Sequence, residues 1–326
     1  PERLLLSGCR KRVFTGIGSS EAVARFAMRN LEGVPNVATH FCTTSQFFGD
    51  LPLDPSESVL VVVSQGLSPN SRIALDRRRE FAQTVLLTAA TVEGQRSAGR
   101  PDRAALLESL AEEGAVVLHH PLEDEFSILP RVVGPFCGLL AAARLADLLK
   151  GSGESSLSFE SIAGRVFGKE FPETEEIDLW AGELLEGTDF YFTGGASAYA
   201  SNLAYKAMEC TFRRPPGIYD LFDYSHGPFQ VDSANSRHRW IFSGSSPAEQ
   251  ALLDQFAPLF DQTGPFRFLR SGLPEPFGIL EFEMAMNRIA ARAAALAGVD
   301  LVNWPGKGLD GPGYDLRSPF EGREAE

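Results

Sequence analysis

The chain has 326 residues, 44% of them hydrophobic and 22% charged, which suits two domains of ordinary size with a sizeable buried core. Acidic residues outnumber basic ones 43 to 30, and the net charge of -13 excludes the basic surface that sequence-independent binding to DNA or RNA needs. No run of about 18 apolar residues suggests a membrane span, and no charged-then-apolar signal pattern opens the chain.

The first element is expected in "VFTGIGSSEAVARFAM" (Val13 to Met28), where an apolar strand runs through a Gly/Ser turn into an alanine-rich helix. It begins close to Pro1, which stands where a methionine would, and the reading expects a trimmed natural start. "VLVVVS" (Val59 to Ser64), "TVLLTAA" (Thr84 to Ala90) and "AVVLHH" (Ala115 to His120) lack polar alternation, as strands of a parallel sheet covered on both faces do. "GPFCGLLAAARLADLL" (Gly134 to Leu149) reads as a long, mostly buried helix, and the Gly- and Ser-rich Lys150 to Gly164 as a linker. The pattern then restarts with "DFYFTGG", "RHRWIFSG" and "PFRFLRS" and closes on "ILEFEMAMNRIAARAAALAG". Cys9, Cys42, Cys137 and Cys210 lie too far apart for a zinc site or a disulfide scaffold and read as reduced core thiols of a cytoplasmic protein.

Four stretches carry residues suited to chemistry. Strand-to-helix turns of the kind at Gly16 to Ser20 let backbone amides and hydroxyls face an anion, and "YFTGGASAYASNLAYKAM" repeats the pattern in the second half, which suggests a duplicated domain. In "SQGLSPNSRIAL", Ser64, Ser68 and Ser71 surround Gly66 at a strand end, where open parallel sheets bind ligands; the plainer alternative is that Ser68 or Ser71 caps the helix. In "SNLAYKAMECTF", Leu203, Ala207 and Cys210 form an apolar stripe with Lys206 inside it and Glu209 at its flank. Lys206 and Glu209 either form an ordinary i,i+3 ion pair or present a shielded carboxylate suited to carbon-acid proton transfer, and the stretch leaves both open. His226 follows the aromatic and acidic run "YDLFDYS" and precedes Gly227 and Pro228, which halt regular structure. His119 and His120, at a strand end, read as structural.

With these residues together, the chain resembles the tandem sugar-isomerase (SIS) proteins from about Arg12 onward, in the manner of the isomerase domain of glucosamine-6-phosphate synthase and the stand-alone aminosugar-phosphate deaminase/isomerases and fructosamine-6-phosphate deglycases. The synthase's glutaminase domain has no counterpart here. Gly16-Ile17-Gly18-Ser19-Ser20 is similar to the family's first Gly/Ser turn and Ser64-Gln65-Gly66-Leu67-Ser68 to its phosphate loop. Lys206 and Glu209 match its Lys-x-x-Glu, and Asp223 to Pro228 echo its Glu-x-x-His-Gly-Pro. Lys307, seven residues after Asp300, coincides with its C-terminal lysine. The resemblance implies that Glu209 shuttles a proton between two sugar carbons and that His226 opens the ring from a neighbouring subunit. It also implies that Lys206 and Lys307 hold or activate the carbonyl. It places phosphate at Gly18, Ser19, Ser20, Ser64, Gln65 and Ser68, with Arg131 standing near the family's usual threonine. The loop departs from the pattern by one residue, and Lys307 sits in a glycine-rich tail.

The expected fold is α/β, two flavodoxin-like SIS domains with parallel sheets flanked by helices. Residues 1–150 form the first domain, 151–185 a linker and connecting helix, and 186–326 the second domain with its tail. The expected function is a phosphosugar aldose-ketose isomerase or deaminating isomerase/deglycase acting on an amino-substituted sugar phosphate, with a non-catalytic sugar-phosphate-binding regulator as the alternative. No metal or nucleotide cofactor, no nucleic acid and no membrane partner is expected, and the protein is expected to be a homodimer with a shared active site.

Overall fold

The computed structural model describes residues 9–120, 122, 125, 128–150, 159–168, 173–234, 237–263 and 266–314. Most of the expected linker, residues 151–158, lies outside them. The chain divides into two compact units, one of residues 1–125, 133–155 and 305–326, the other of residues 126–132 and 156–304.

The first unit holds β1 (Lys11–Thr15), β2 (Ala38–Phe41), β3 (Ser58–Val63), β4 (Gln83–Thr88) and β5 (Val116–His119), with helices α1 (Ser19–Leu31), α2 (Pro69–Asp76), α3 (Val92–Ser97), α4 (Pro101–Glu112) and α5 (Val133–Lys150). All strand pairs are parallel, in the order β2-β1-β3-β4-β5, which is the flavodoxin-like order. Every residue of β3 is buried, which explains why its sequence shows no polar alternation. Helix α1 packs on α5, and Gly138 makes the approach close, since a Cβ there would meet the Val23 side chain at 3.1 Å.

The second unit holds α6 (Phe159–Gly168), α7 (Ile177–Glu186), β6 (Thr188–Phe192), α8 (Ala200–Thr211), β7 (Ile218–Asp220), α9 (Pro228–Ala234), β8 (His238–Ser243), α10 (Pro247–Thr263), β9 (Phe266–Arg270) and α11 (Gly278–Ala297). Its parallel sheet runs β7-β6-β8-β9, repeating the order of the first four strands of the other unit. Aromatic side chains fill the core: Trp240 stacks on Phe190 at 5.3 Å between centroids, and Phe192 on Phe242 at 4.7 Å. The Trp240 indole donates to Glu183 Oε2 at 2.9 Å, so its polar atom is satisfied inside the sheet-helix layer. Helix α11 packs against both α7 and α8.

The four cysteines are unpaired; Cys42 and Cys210 are buried, Cys9 and Cys137 partly so. Among the described residues no helix is long and apolar enough to cross a membrane. His120 is buried at the end of β5, where burial and the neighbouring His119 push its pKa down, so it sits in the core as a neutral ring.

A buried ion pair ties β8 to α9. Arg239 and Asp232 meet at 3.1 Å with side chains only 1% and 2% exposed, and the guanidinium also donates to Tyr224 Oη and the Thr263 carbonyl. Removing one partner would strand the other charge in the core. Asp232→Ala is therefore expected to cost about 3–5 kcal/mol in urea unfolding, and an Arg239→Met, Asp232→Leu double variant to recover most of that loss.

Candidate active site

In the first unit, Gly18, Ser19, Ser20, Ser64, Gln65 and Ser68 follow the carboxyl ends of β1 and β3, the adjacent strands at which the order of the sheet reverses, whereas Arg131, expected with them, lies in the second unit and acts on Glu209. The turn after β1 requires glycine at position 16: a Cβ there would lie 2.5 Å from the Ser20 carbonyl oxygen. Gly18 stands at φ 59 and caps α1, which Ser19 and Ser20 open. The Ser20 amide reaches back to the Ile17 carbonyl at 3.2 Å, tightening the turn.

After β3 the serine-rich loop spends much of its polarity on itself. Ser64 is buried and its hydroxyl donates to Ser71 Oγ at 3.0 Å, while Ser71 donates to the Ser68 carbonyl at 2.7 Å. Ser68 stands at the N-cap of α2, yet its side chain caps nothing. Leu67 occupies a left-handed backbone conformation, φ 51, with its side chain fully buried in the first unit's core. That conformation costs a leucine about 1–2 kcal/mol, which burial of the side chain offsets at about 2 kcal/mol. Arg103 of α4 holds the loop from outside, donating to the Gly66 carbonyl at 2.8 Å. Gln65 lies across Gly134, where any Cβ would collide with its side chain, and its Nε2 is 3.5 Å from Glu125. Glu125 in turn accepts the Val133 and Gly134 amides at 2.7 Å each and so caps α5. A cavity of about 340 Å³ opens on the β2 side of the turn, lined by Gly16, Ile17, Thr43, Thr44, Ser45 and Asn70 among others, and Asn70 Oδ1 is buried there without a partner among the described residues.

The second unit repeats this architecture with a different filling. Ser68-Pro69 starts α2 and Ser246-Pro247 starts α10; two residues after each proline stand Ser71 and Glu249 respectively. The Glu249 carboxylate accepts Thr193 Oγ1 at 2.6 Å, the Gly244 amide at 2.8 Å and Ser246 Oγ at 2.8 Å. The loops after β6 and β8 thus close on an internal anion. Burial acts to raise the pKa of Glu249, but these hydrogen bonds to its charged form outweigh it and hold the pKa below the usual 4.5.

Helix α8, which follows the unit's first strand β6, carries Lys206 and Glu209. Lys206 is 3% exposed and its ammonium pairs with Glu283 of α11, itself fully buried, and with Asn287 Oδ1. The ion pair therefore runs between helices, and the i,i+3 pairing with Glu209 considered from sequence is displaced by a stronger, drier partner. Asn202 donates to Glu283 Oε2 at 3.1 Å and to Tyr199 Oη at 2.9 Å, so the buried charge sits inside a closed polar network. Glu209 is partly buried; burial raises its pKa, opposed by the positive charges of Lys206 and Arg131. Arg131 is fixed in part by its hydrogen bond to the Ile128 carbonyl at 3.2 Å.

His226 ends a 3-10 turn, Leu221–His226, that Asp220 caps together with Asp223, and Gly227 at φ 142 breaks it. Tyr224 is buried within this turn and hydrogen-bonds Thr263 Oγ1 at 2.6 Å, which anchors the loop. The His226 ring is exposed and makes no hydrogen bond or ion pair among the described residues. Lys307 lies exposed between Gly306 and Gly308, both at φ 80, in the segment that groups with the first unit.

No protein-family model and no curated protein matches the sequence. Solved structures do match. The C-terminal domain of glucosamine-fructose-6-phosphate aminotransferase from Francisella tularensis aligns with a TM-score of 0.74 at 14% identity, over 93% of this chain and 88% of that one. The chain has the sugar-isomerase fold. Tagatose-6-phosphate ketose/aldose isomerase from Escherichia coli shares this fold at TM-score 0.69 and 19% identity, covering 92% and 86% of the two chains. Glucosamine-6-phosphate deaminase from Thermotoga maritima does so at 0.64 and 16%, covering 93% and 92%.

Within that fold, the sequence reading singled out Lys206 and Glu209 but missed Glu283, Asn202, Asn287 and Glu249. Glu283 had a legible signal: it stands four residues after Ile279, on the face of α11 where Ile279, Met286 and Ala290 are buried, and a glutamate there requires a cation. Glu249 had a partial one, Ser246-Pro247-Ala248-Glu249, whose serine and glutamate are spaced as in a helix-start capping box, but nothing in the sequence joined it to Thr193, 56 residues away.

Glu249→Ala leaves the Gly244 amide and the Thr193 hydroxyl without their acceptor and is expected to cost about 2–4 kcal/mol. Because the folded-state pKa of Glu249 is depressed, its contribution is complete above the ordinary value of 4.5 and is lost as pH falls through the lower one. Unfolding curves of the two proteins should differ by a constant amount above about pH 5 and converge in more acid solution.

Proposed function

We propose that the protein interconverts aldose and ketose forms of a sugar phosphate bearing an amino substituent, as an isomerase or a deaminating isomerase/deglycase. The observation that carries the reading is Glu209: a partly buried carboxyl, its pKa raised above 4.5, on the helix that follows the second unit's strand-turn motif. As base, Glu209 takes the proton from the carbon beside the open-chain carbonyl; the C–H electron pair moves into the new carbon-carbon double bond and the carbonyl π pair to oxygen. The proton of the neighbouring hydroxyl passes to the former carbonyl oxygen; the carbon proton then returns to the former carbonyl carbon, taken up by the double-bond pair while the deprotonated hydroxyl oxygen re-forms a carbonyl, and the isomerisation is complete.

Lys206 enters this scheme as a fixed positive charge, since its ammonium is engaged by Glu283 and Asn287. His226, exposed and without an internal hydrogen bond, is available for ring opening in the site of a second copy of the chain. Within the first unit, Gly18, Ser19, Ser20, Gln65 and Ser68 offer amides and hydroxyls suited to a phosphate, and Lys307 offers a primary amine suited to the open-chain carbonyl. The named functions of the structural neighbours, an aminotransferase, a ketose/aldose isomerase and a deaminase acting on hexose phosphates, are in keeping with this chemistry.

The alternative is a non-catalytic sugar-phosphate-binding regulator; the loop's internal hydrogen bonds, Ser64 to Ser71 and Ser71 to the Ser68 carbonyl, draw hydroxyls away from a phosphate in either reading. Thermal shift and turnover separate the two readings. Fructose 6-phosphate, glucosamine 6-phosphate or a fructosamine 6-phosphate is expected to raise the melting temperature where the unphosphorylated sugar does not. The stabilising compound is expected to turn over, with Glu209→Gln lowering kcat by about 10²–10⁴-fold while leaving binding nearly unchanged. Stabilisation without turnover establishes the regulator instead. In the active protein, kcat/KM should fall on the acid side with a midpoint above 4.5, because Glu209 must be deprotonated to act.

A further inference from the structure

Lys206 and Glu209 are three residues apart on one helix, close enough for an ordinary surface pair. Instead the Lys206 ammonium is drawn to the other side, toward α11, by a glutamate with no solvent exposure. We propose that Glu283 is a positioning residue, whose buried carboxylate holds Lys206 on the α11 side of α8 and thereby keeps it from neutralising Glu209. The inference rests on the reading of Glu209 as the base and deepens it: the strength of that base is set from a second helix.

The geometry is specific to this role. Glu283 uses both carboxylate oxygens, Oε1 toward Lys206 and Oε2 toward Asn202 at 3.1 Å, and Asn202 is fixed by Tyr199 at 2.9 Å. Asn287, one turn along α11, accepts a second hydrogen bond from Lys206. Of the two side chains that the ammonium meets, Asn287 is neutral, so the buried cation is balanced by the charge of Glu283. The other acidic residue facing inward on α11, Glu281, is occupied elsewhere by Ser271 Oγ and the Gly272 amide, each at 2.6 Å. Around Glu209 the charged groups are Lys206 from its own helix and Arg131. The neighbouring Cys210 thiol and the Tyr199 phenol are both pushed toward their neutral forms by burial, so neither substitutes for Glu283.

Glu283→Gln keeps the side chain's shape and removes its charge. The test is the titration of Glu209, followed by side-chain carboxyl NMR in the full chain labelled with ¹³C-glutamate and assigned with Glu209→Gln. Lys206, without its counter-ion, turns to the carboxylate on its own helix, and the Glu209 midpoint is expected to fall by about one pH unit or more, a tenfold stronger acid. Adding Lys206→Met to that variant is expected to return the midpoint to the wild-type value or slightly above it. A folded Glu283→Gln protein in which the Glu209 midpoint stays in place or rises overturns the proposal.

Should the single variant not fold, the Glu283→Gln, Lys206→Met pair removes both buried charges and carries the comparison itself. If Glu283 already cancels Lys206, the Glu209 midpoint in the pair stays within about half a pH unit of wild type; a rise of more than one unit overturns the proposal. A purely structural role for Glu283 would lower stability without moving the Glu209 titration. The outcome is separable from the proposed function: an inactive Glu209→Gln with an unmoved titration in Glu283→Gln defeats only the present inference, whereas an active Glu209→Gln defeats only the assignment of the base.

Discussion

A charge placed in a protein core must meet its opposite there, and in the second unit this constraint organises everything around helix α8. Lys206 lies on the buried stripe of α8, so α11 must offer a carboxylate at the same level, and Glu283 does so with Asn202, Tyr199 and Asn287 closing the remaining hydrogen bonds. The packing of α11 on α8 is thereby fixed in register as well as in contact. Glu209, on the flank of the same helix, inherits its surroundings from that choice: enough burial to weaken it as an acid, with Arg131 as a second positive charge.

The two units show how one architecture can be given opposite electrostatic assignments. Each has parallel strands in the same order and a Ser-Pro helix start at the end of its third strand. In the first, the position two residues after the proline is a serine that hydrogen-bonds Ser64. In the second it is Glu249, whose carboxylate collects a threonine hydroxyl, a backbone amide and a serine hydroxyl. A cradle of donors that accommodates an anion is, in the second unit, already filled from within.

Much of this was legible from the sequence. The uninterrupted apolar runs at Val59 and Thr84 became β3 and β4, which are buried almost throughout because strands covered on both faces need no polar side, while the run at Ala115 became β5, an edge strand that is only half-buried. The Gly16 turn was legible because backbone crowding of that kind tolerates no other residue. The Lys206 and Glu209 spacing was visible, but the partner of Lys206 was not, since periodicity within one helix says nothing of which helix it packs against. Leu67 was equally opaque: the sequence shows a hydrophobic residue interrupting a serine-rich loop, and only the fold shows that its side chain belongs to the core.

Leu67 also bears on how the first unit would greet a ligand. With its side chain sunk among the core residues and Arg103 gripping the adjoining Gly66 carbonyl, the loop is pinned from inside and outside at once. Such a loop has little conformational freedom left to surrender, so recognition there is governed by fit to a fixed template and not by folding of the chain around its guest.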